Sequence, residues 1–159
     1  VYTAGIRFNE NDIIDKKIKI TKTNRGGKIT IHNPGQKIIY FVLNLNKRKK
    51  DIRKLISIVE NSIIEFLNNY NIKANKDKKN IGIWVNNRKI AAIGLRVSRW
   101  IAYHGCSINV SNNLNDYLKI VPCGLDNKKV TSIYQEKKII PKKFEKILAN
   151  IFLKNIKKI

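Results

Sequence analysis

The sequence predicts an α+β fold in which a mixed β-sheet core is flanked by helices. Apolar segments of strand length, bounded by glycine, proline or asparagine, recur through residues 2–45 and 81–110. Apolar residues at helical spacing are clearest in residues 52–70 and again after Pro141. These strand and helix segments do not alternate in a βαβ rhythm, which favours α+β over a parallel α/β sheet.

The first third of the chain contains the first group of predicted strands. Residues 2–6 and 18–23 have the pattern of short strands, and a glycine turn separates them from a strand at residues 29–31. The apolar run at residues 38–45 predicts a further strand, which the basic residues 47–50 end.

The clearest helix covers residues 52–70. Its apolar residues recur at steps of three and four: Ile52, Leu55, Ile56, Val59, Ile63, Phe66, Leu67 and Tyr70. Asp51 precedes the first of them and is a suitable N-cap. We interpret this apolar face as core packing.

The second half contains a predicted hairpin and four further elements. A polar loop at residues 71–80 precedes the hairpin, whose strands at 81–85 and 89–97 flank Asn86-Asn87, two residues that tolerate positive φ. The later predictions are a strand at 100–110, a short helix at 112–118, a strand or turn at 128–134, and a helix opened by Pro141.

The composition is that of one folded domain, residues 1–159, with 43% hydrophobic and 28% charged residues. No apolar run reaches the roughly 18 to 20 residues of a membrane span, and no signal peptide opens the chain. The two cysteines do not make a disulfide framework, which favours a reducing cytoplasm. His32, His104, Cys106 and Cys123 lack the paired short spacings of a structural zinc site, so we expect no metal.

The net charge of +22 favours acidic partners. Nucleic acid is one such partner, and a small acidic protein is another. A nucleic-acid-binding module would interleave aromatic and basic residues on one face, and residues 96–100 are the one segment that hints at this. We therefore favour an acidic protein over nucleic acid.

Residues 25–36 are the most distinctive stretch, because three of the eight glycines and one of the two histidines fall within them. Glycines let a backbone approach a ligand closely and leave its N–H groups unshielded. This segment is therefore a candidate binding loop, although a glycine pair before a strand is also typical of a simple turn.

Cys123 is a candidate nucleophile because it lies between Pro122 and Gly124, in a turn that would expose a thiol beside backbone N–H groups. A thiol of ordinary pKa is only a few per cent thiolate at neutral pH, so it needs an activating base. Lys89 begins the small and apolar run of residues 89–94, where lysine is unusual. It could activate the thiol if it is buried there, whereas a lysine at the hairpin mouth would simply reach solvent.

Together these segments resemble the lipoate-biosynthesis octanoyltransferases, also called lipoyl(octanoyl) transferases. The segments that carry the resemblance occur in family order and are residues 25–36, 82–85 and 89–94, His104-Gly105, Asn109, residues 122–125 and Thr131-Ser132. The match extends from Tyr2 across nearly the whole chain. The resemblance implies the α+β fold of the biotin/lipoate protein ligase-like superfamily.

The resemblance also implies a reaction and a site. Members move an octanoyl group from octanoyl-acyl carrier protein to a lysine of a lipoyl domain, as found in 2-oxoacid dehydrogenase E2 subunits and the glycine cleavage H protein. Cys123 would carry the acyl thioester and Lys89 would activate the thiol and exchange protons, without a cofactor. The residues that would line the acyl site are Arg25, Gly26, Gly27, Lys28, Ile29, Thr30, Ile31, His32, Ala92, Ile93, Gly94, Gly105, Cys106 and Ser107.

Three features depart from the family pattern. Asn33 stands where glycine is usual before Pro34, and Cys106 replaces an apolar residue, which we interpret as a small buried hydrophobe. Family members carry a strand–helix–strand segment before Tyr2, and this sequence starts at Val1 and contains no Met. We therefore expect an N-terminally truncated catalytic domain.

Two other enzymes of the same fold are alternatives. A lipoate ligase would activate its acid with ATP and would not need the thiol of Cys123. An octanoyl amidotransferase acting between lipoyl-domain proteins would use the same cysteine thioester, so the residues do not separate it from an octanoyltransferase.

Overall fold

The computed structural model describes residues 1–77, 80–121 and 129–159. In these ranges the chain forms eleven short strands and three α-helices. The strands are β1 (Tyr2–Ala4), β2 (Ile20–Lys22), β3 (Ile29–Ile31), β4 (Gln36–Tyr40), β5 (Leu43–Asn44), β6 (Asn75–Lys76), β7 (Ile83–Val85), β8 (Arg88–Ile93), β9 (Arg96–Ser98), β10 (Ile101–Tyr103) and β11 (Gly105–Asn109). The helices are α1 (Ile52–Asn68), α2 (Ile133–Lys137) and α3 (Phe144–Ile156).

The strands form three sheets. Five of them make an antiparallel sheet in the order β4-β11-β8-β7-β6, and β5-β10-β9 make a second antiparallel sheet. In the third sheet β1 pairs in parallel with β2 and antiparallel with β3. Parallel and antiparallel pairs therefore both occur, and the predicted α+β class with mixed sheet pairing is confirmed.

The main core lies between the five-stranded sheet and helices α1 and α3. Asp51 caps α1 by accepting a hydrogen bond from the Lys54 N–H at 2.9 Å, as the sequence predicts. The two helices pack through Phe66 and Phe144, whose ring centroids are 4.6 Å apart in an edge-on arrangement. None of the described helices is both long and apolar enough to cross a membrane.

The predicted hairpin is confirmed as β7 and β8. Asn86 and Asn87 join the two strands with φ of 47° and 61°, the left-handed conformation that a two-residue turn of this kind requires. A short 3-10 helix, Leu114–Lys119, confirms the short helix predicted at residues 112–118.

Two boundary predictions were wrong. The strand predicted at 100–110 is interrupted at His104, whose φ of 64° separates β10 from β11. The segment predicted as strand or turn at 128–134 contributes only an isolated parallel bridge from Val130 to Lys89. Ser132 then caps α2 through a hydrogen bond from the Gln135 N–H.

Two further elements differ from the prediction in extent. The last helix begins at Phe144, three residues after Pro141, because Lys143 adopts φ 53° as its N-cap. The polar loop at 71–80 contains the two-residue strand β6, which pairs with β7 at the edge of the large sheet.

Candidate active site

A cavity of about 150 Å³ lies where β3, β4, β8 and β11 meet the glycine loop. Thirteen of the fourteen residues predicted for an acyl site line it: Arg25, Gly26, Gly27, Lys28, Ile29, Thr30, His32, Ala92, Ile93, Gly94, Gly105, Cys106 and Ser107. The fourteenth, Ile31, packs instead with Tyr117 and Ile120 in the smaller of the two hydrophobic clusters. The fold therefore brings three distant sequence segments to one cavity.

The glycine loop fits against the end of β8 because its residues lack side chains. A Cβ on Gly26 would lie 2.4 Å from the Leu95 carbonyl oxygen, and the Gly26 N–H donates to the Gly94 carbonyl at 3.3 Å. The Arg25 guanidinium donates to the Thr3 carbonyl at 2.6 Å, which fixes the start of the loop to β1. The glycine loop therefore forms one wall of the cavity as well as a turn.

The cavity is also lined by seven residues that the predicted acyl site does not include: Thr3, Thr23, Ile38, Ile39, Tyr40, Ile81 and His104. Strand pairing brings Ile38, Ile39 and Tyr40 to the cavity. Their strand, β4, runs antiparallel to β11 beside Gly105, Cys106 and Ser107. Nothing local in an Ile-Ile-Tyr segment signals a binding role. His104 carries a sequence signal, the His104-Gly105 pair, and its Nε2 lies 2.7 Å from Asn24 Oδ1 beside the glycine loop.

Lys89 is buried, with 6% of its surface exposed. Its Nζ donates to the Ile81 carbonyl at 3.3 Å and lies 4.7 Å from the centroid of the Trp84 ring. Both backbone polar groups of Lys89 are paired, its N–H with Lys129 O and its carbonyl with Thr131 N–H, each at 2.9 Å. The structure thus places Lys89 inside the fold and not in solvent at the hairpin mouth.

Gly82 makes room for the Lys89 side chain. It has φ 139°, and a Cβ there would lie 2.8 Å from the Ala91 carbonyl oxygen and 3.1 Å from Lys89 Cε. The Gly82 N–H interacts with the carboxylate of buried Glu60, which is also 3.4 Å from Lys76 Nζ. The Ile81–Gly82 peptide therefore lies between the Lys89 ammonium and a carboxylate.

A second, much smaller cavity of about 10 Å³ adjoins Lys89. It shares Thr30, Ala92 and Ser107 with the main cavity, and Asn109 and Tyr117 complete its polar side. Lys89 therefore lies directly behind one wall of the main cavity.

His32 is joined to this region by a chain of side-chain hydrogen bonds. Its Nδ1 lies 2.8 Å from Gln36 Oε1, and Gln36 Nε2 donates to Asn109 Oδ1 at 2.9 Å and to Tyr117 Oη at 3.1 Å. Asn109 Nδ2 in turn donates to the Thr131 carbonyl at 3.0 Å. Burial, together with the positive charge of Arg25, lowers the pKa of His32, which favours the neutral imidazole.

The two cysteines differ in their predicted roles, and the structure describes only one of them. Cys106 is buried on β11, and burial raises the pKa of its thiol to about 12. It is therefore a wall residue and not a nucleophile at neutral pH. Cys123, predicted as the nucleophile, lies outside the described residues with the rest of the Pro122-Cys123-Gly124 motif.

Within the described ranges, no group of three or more His, Cys, Asp or Glu side chains is placed to hold a metal ion. The chemistry available in those ranges comes from a buried lysine, a neutral histidine and an adjacent cavity with apolar walls.

The fold is shared with solved ligase structures. A lipoate-protein ligase A bound with ATP superposes with a TM-score of 0.78 at 12% identity, over 98% of this chain and 68% of that one. The biotin protein ligase of Aquifex aeolicus superposes with a TM-score of 0.62 at 17% identity, over 78% of this chain. The chain spans about half, 54%, of that ligase.

The sequence is similar to curated octanoyltransferases. It is 51% identical to the octanoyltransferase of Wolbachia pipientis subsp. Culex pipiens over 138 residues, which covers 84% of this chain and 67% of that protein. The family model of the lipoyl protein ligase A/B catalytic domain matches residues 2–153. The chain therefore belongs to the lipoyl protein ligase A/B catalytic-domain family.

Proposed function

We propose that this protein is an octanoyltransferase of protein lipoylation. It moves an octanoyl group from octanoyl-acyl carrier protein to a lysine amine of a lipoyl domain. The observation that carries the proposal is the buried Lys89 ammonium directly behind the wall of a cavity with apolar lining. The octanoyltransferase name of a relative at 51% identity supports the choice of acyl group.

In the first step the Cys123 thiolate attacks the carbonyl carbon of the donor thioester. The new carbon–sulfur bond forms as the bond to the carrier's sulfur breaks, and the Lys89 ammonium gives its proton to the departing thiolate. This leaves an octanoyl thioester on Cys123 and a neutral Lys89. The pairing of Cys123 with Lys89 is what the family resemblance implies, since Cys123 itself lies outside the described residues.

In the second step the lysine amine of the lipoyl domain attacks the enzyme thioester. An amide forms, the Cys123 thiolate leaves, and Lys89 recovers one proton. No nucleotide is consumed, because both acyl donors are already thioesters.

The cavity fits an alkyl chain. A closed apolar cavity of about 150 Å³ accommodates a molecule the size of benzene, so one that opens towards its rim suits a somewhat longer chain. The small side chains of Ala92, Gly94 and Gly105 leave this space open, and Ile38, Ile39 and Ile93 give it apolar walls. Each methylene that is buried there contributes about 0.8 kcal/mol.

The charge of the protein suits the proposed partners. Acyl carrier proteins and the lipoyl domains of E2 subunits and the H protein are acidic, and a protein of net charge +22 attracts both. We therefore propose the cytoplasm as the location of the reaction.

The direct test is acyl transfer with purified components. Octanoyl-acyl carrier protein and an unmodified lipoyl domain are mixed with the enzyme, and the lipoyl domain is followed by intact mass. We expect one octanoyl addition, lost when the target lysine of the domain is replaced by arginine. Transfer from an octanoylated lipoyl domain, or from octanoate only with ATP, would instead identify an amidotransferase or a ligase.

A further inference from the structure

We propose that His32 is a second catalytic base and that its Nε2 atom accepts one of the two protons shed by the incoming lysine. The inference rests on the proposed function and deepens it. It assigns a proton-transfer role to a residue that otherwise only lines the acyl cavity.

The second step releases one proton more than Lys89 can take back. The lysine arrives as an ammonium with three protons on nitrogen and leaves as an amide with one, so two protons depart. Lys89 has given one proton to the carrier's thiolate and can take back one. The other proton goes to water, either directly or through a base in the site that speeds its release.

The hydrogen-bond chain fixes which nitrogen of His32 can do this. The Thr131 carbonyl can only accept, so the atom of Asn109 that faces it at 3.0 Å must be the amide nitrogen. Asn109 Oδ1 then accepts from Gln36 Nε2 at 2.9 Å, from Asn112 Nδ2 at 3.2 Å and from Tyr117 Oη at 3.2 Å.

The same argument fixes the orientation of the Gln36 side-chain amide. Since the amide nitrogen of Gln36 faces Asn109, its Oε1 faces His32 Nδ1 at 2.8 Å and requires a proton there. In the neutral imidazole Nε2 is then bare and can accept a proton. Among the described residues this Nε2 has no hydrogen-bond partner, and His32 lines the cavity.

The surroundings of His32 also explain why its imidazole is available as a base. Burial and the neighbouring Arg25 keep the pKa of His32 below its usual value, so the imidazole is neutral before the lysine arrives. The proton that it gains is therefore lost again readily, which suits a group that must release it to water in every turnover.

The tautomer is tested without any activity. Nitrogen-15 NMR of the imidazole in the unaltered protein distinguishes protonated from bare ring nitrogens, and the variant H32Q identifies the signals of His32. We expect Nδ1 protonated and Nε2 bare at neutral pH. A proton on Nε2 would overturn the inference, whatever the fate of the proposed function.

The role is tested in single turnovers from the octanoyl thioester. Once its thioester has formed, H32Q should pass the acyl group to a lipoyl-domain lysine about 100-fold or more slowly than the unaltered protein does. Its thioester should react with hydroxylamine as fast as the unaltered enzyme's, because hydroxylamine is uncharged at neutral pH and has no ammonium proton to shed before attack. Equal slowing with both nucleophiles, or no slowing with lysine, would refute the role of His32. Failure of the unaltered protein to form any thioester would refute the proposed function itself.

Discussion

Lys89 and Trp84 form a cation–π contact inside the protein, with the lysine Nζ 4.7 Å from the centroid of the indole ring. The same Nζ donates to the Ile81 carbonyl. A buried ammonium requires such partners, since desolvation otherwise disfavours its charged form. The β7–β8 hairpin thus supplies both the lysine and the groups that hold it.

Replacing Lys89 should slow thioester formation and spare the fold. In K89M a methionine of similar length keeps the packing on Trp84 but removes the proton donor. We expect thioester formation from octanoyl-acyl carrier protein to slow by about 100-fold or more. Intact mass against time measures the rate, and thermal melting serves as the control. Thioester formation at the normal rate would remove Lys89 from the mechanism.

Gly82 should not tolerate a side chain. In G82A the new Cβ would lie 2.8 Å from the Ala91 carbonyl oxygen, on a residue with φ 139°. We expect a loss of about 1–3 kcal/mol in the free energy of unfolding, because backbone must move. Urea denaturation measures it. The matched control is G94A, whose Cβ would lie 3.3 Å from Arg25 Cδ, a flexible side chain that can move aside. Equal stability of G82A and the unaltered protein would contradict this account.

Filling the cavity should shorten the acyl chain that the enzyme accepts. Ala92 lines the cavity from β8, opposite Ser107 on β11, and A92L places three more carbons there. We expect kcat/KM for octanoyl donors to fall, at about 0.8 kcal/mol for each methylene that is displaced, while butyryl donors are much less affected. The butyryl rate in the same variant controls for misfolding. An equal fall for both donors would argue against an acyl cavity at this position.

Cys106 should be inert in the folded protein. Burial raises the pKa of its thiol to about 12 from an ordinary value of 9.0, so the thiolate is scarce at pH 8. In C123S, where Cys106 is the remaining thiol, iodoacetamide should add rapidly only after denaturation. Because protonation of Cys106 favours the folded state, stability should also fall as pH rises from about 9 towards 12. Rapid labelling of native C123S at pH 8 would contradict the buried position.

Local patterns predicted the elements whose causes are local. Helix α1 follows from apolar spacing and the Asp51 cap, and the β7–β8 turn follows from Asn86 and Asn87, the residues that adopt positive φ. The break at His104 has a weaker signal, because a single histidine marks a positive φ less clearly than the Asn86-Asn87 pair does. It is imposed by pairing, since the His104 carbonyl accepts from the Phe41 N–H while Gly105 packs against Ile39.

Sequence motifs predicted most of the residues that line the cavity, and strand pairing adds others that no motif marks. The glycine loop, Ala92–Gly94 and Gly105–Ser107 carry recognisable residues and do line one cavity. Ile38 and Tyr40 reach the same cavity because β4 pairs with β11, a contact between residues far apart in sequence. Burial of Lys89 likewise depends on Gly82 and Trp84 across the hairpin. The run of residues 89–94 does not contain this information, so the sequence alone could not decide whether Lys89 is buried or exposed.

The central claim is that Cys123 carries the acyl group. The most direct measurement is intact-protein mass spectrometry after mixing with octanoyl-acyl carrier protein, with C123S and C106S alongside. We predict one octanoyl adduct that hydroxylamine removes, present in the unaltered protein and in C106S and absent in C123S. An adduct that persists in C123S, or no adduct on a protein shown by its melting transition to be folded, would contradict the account.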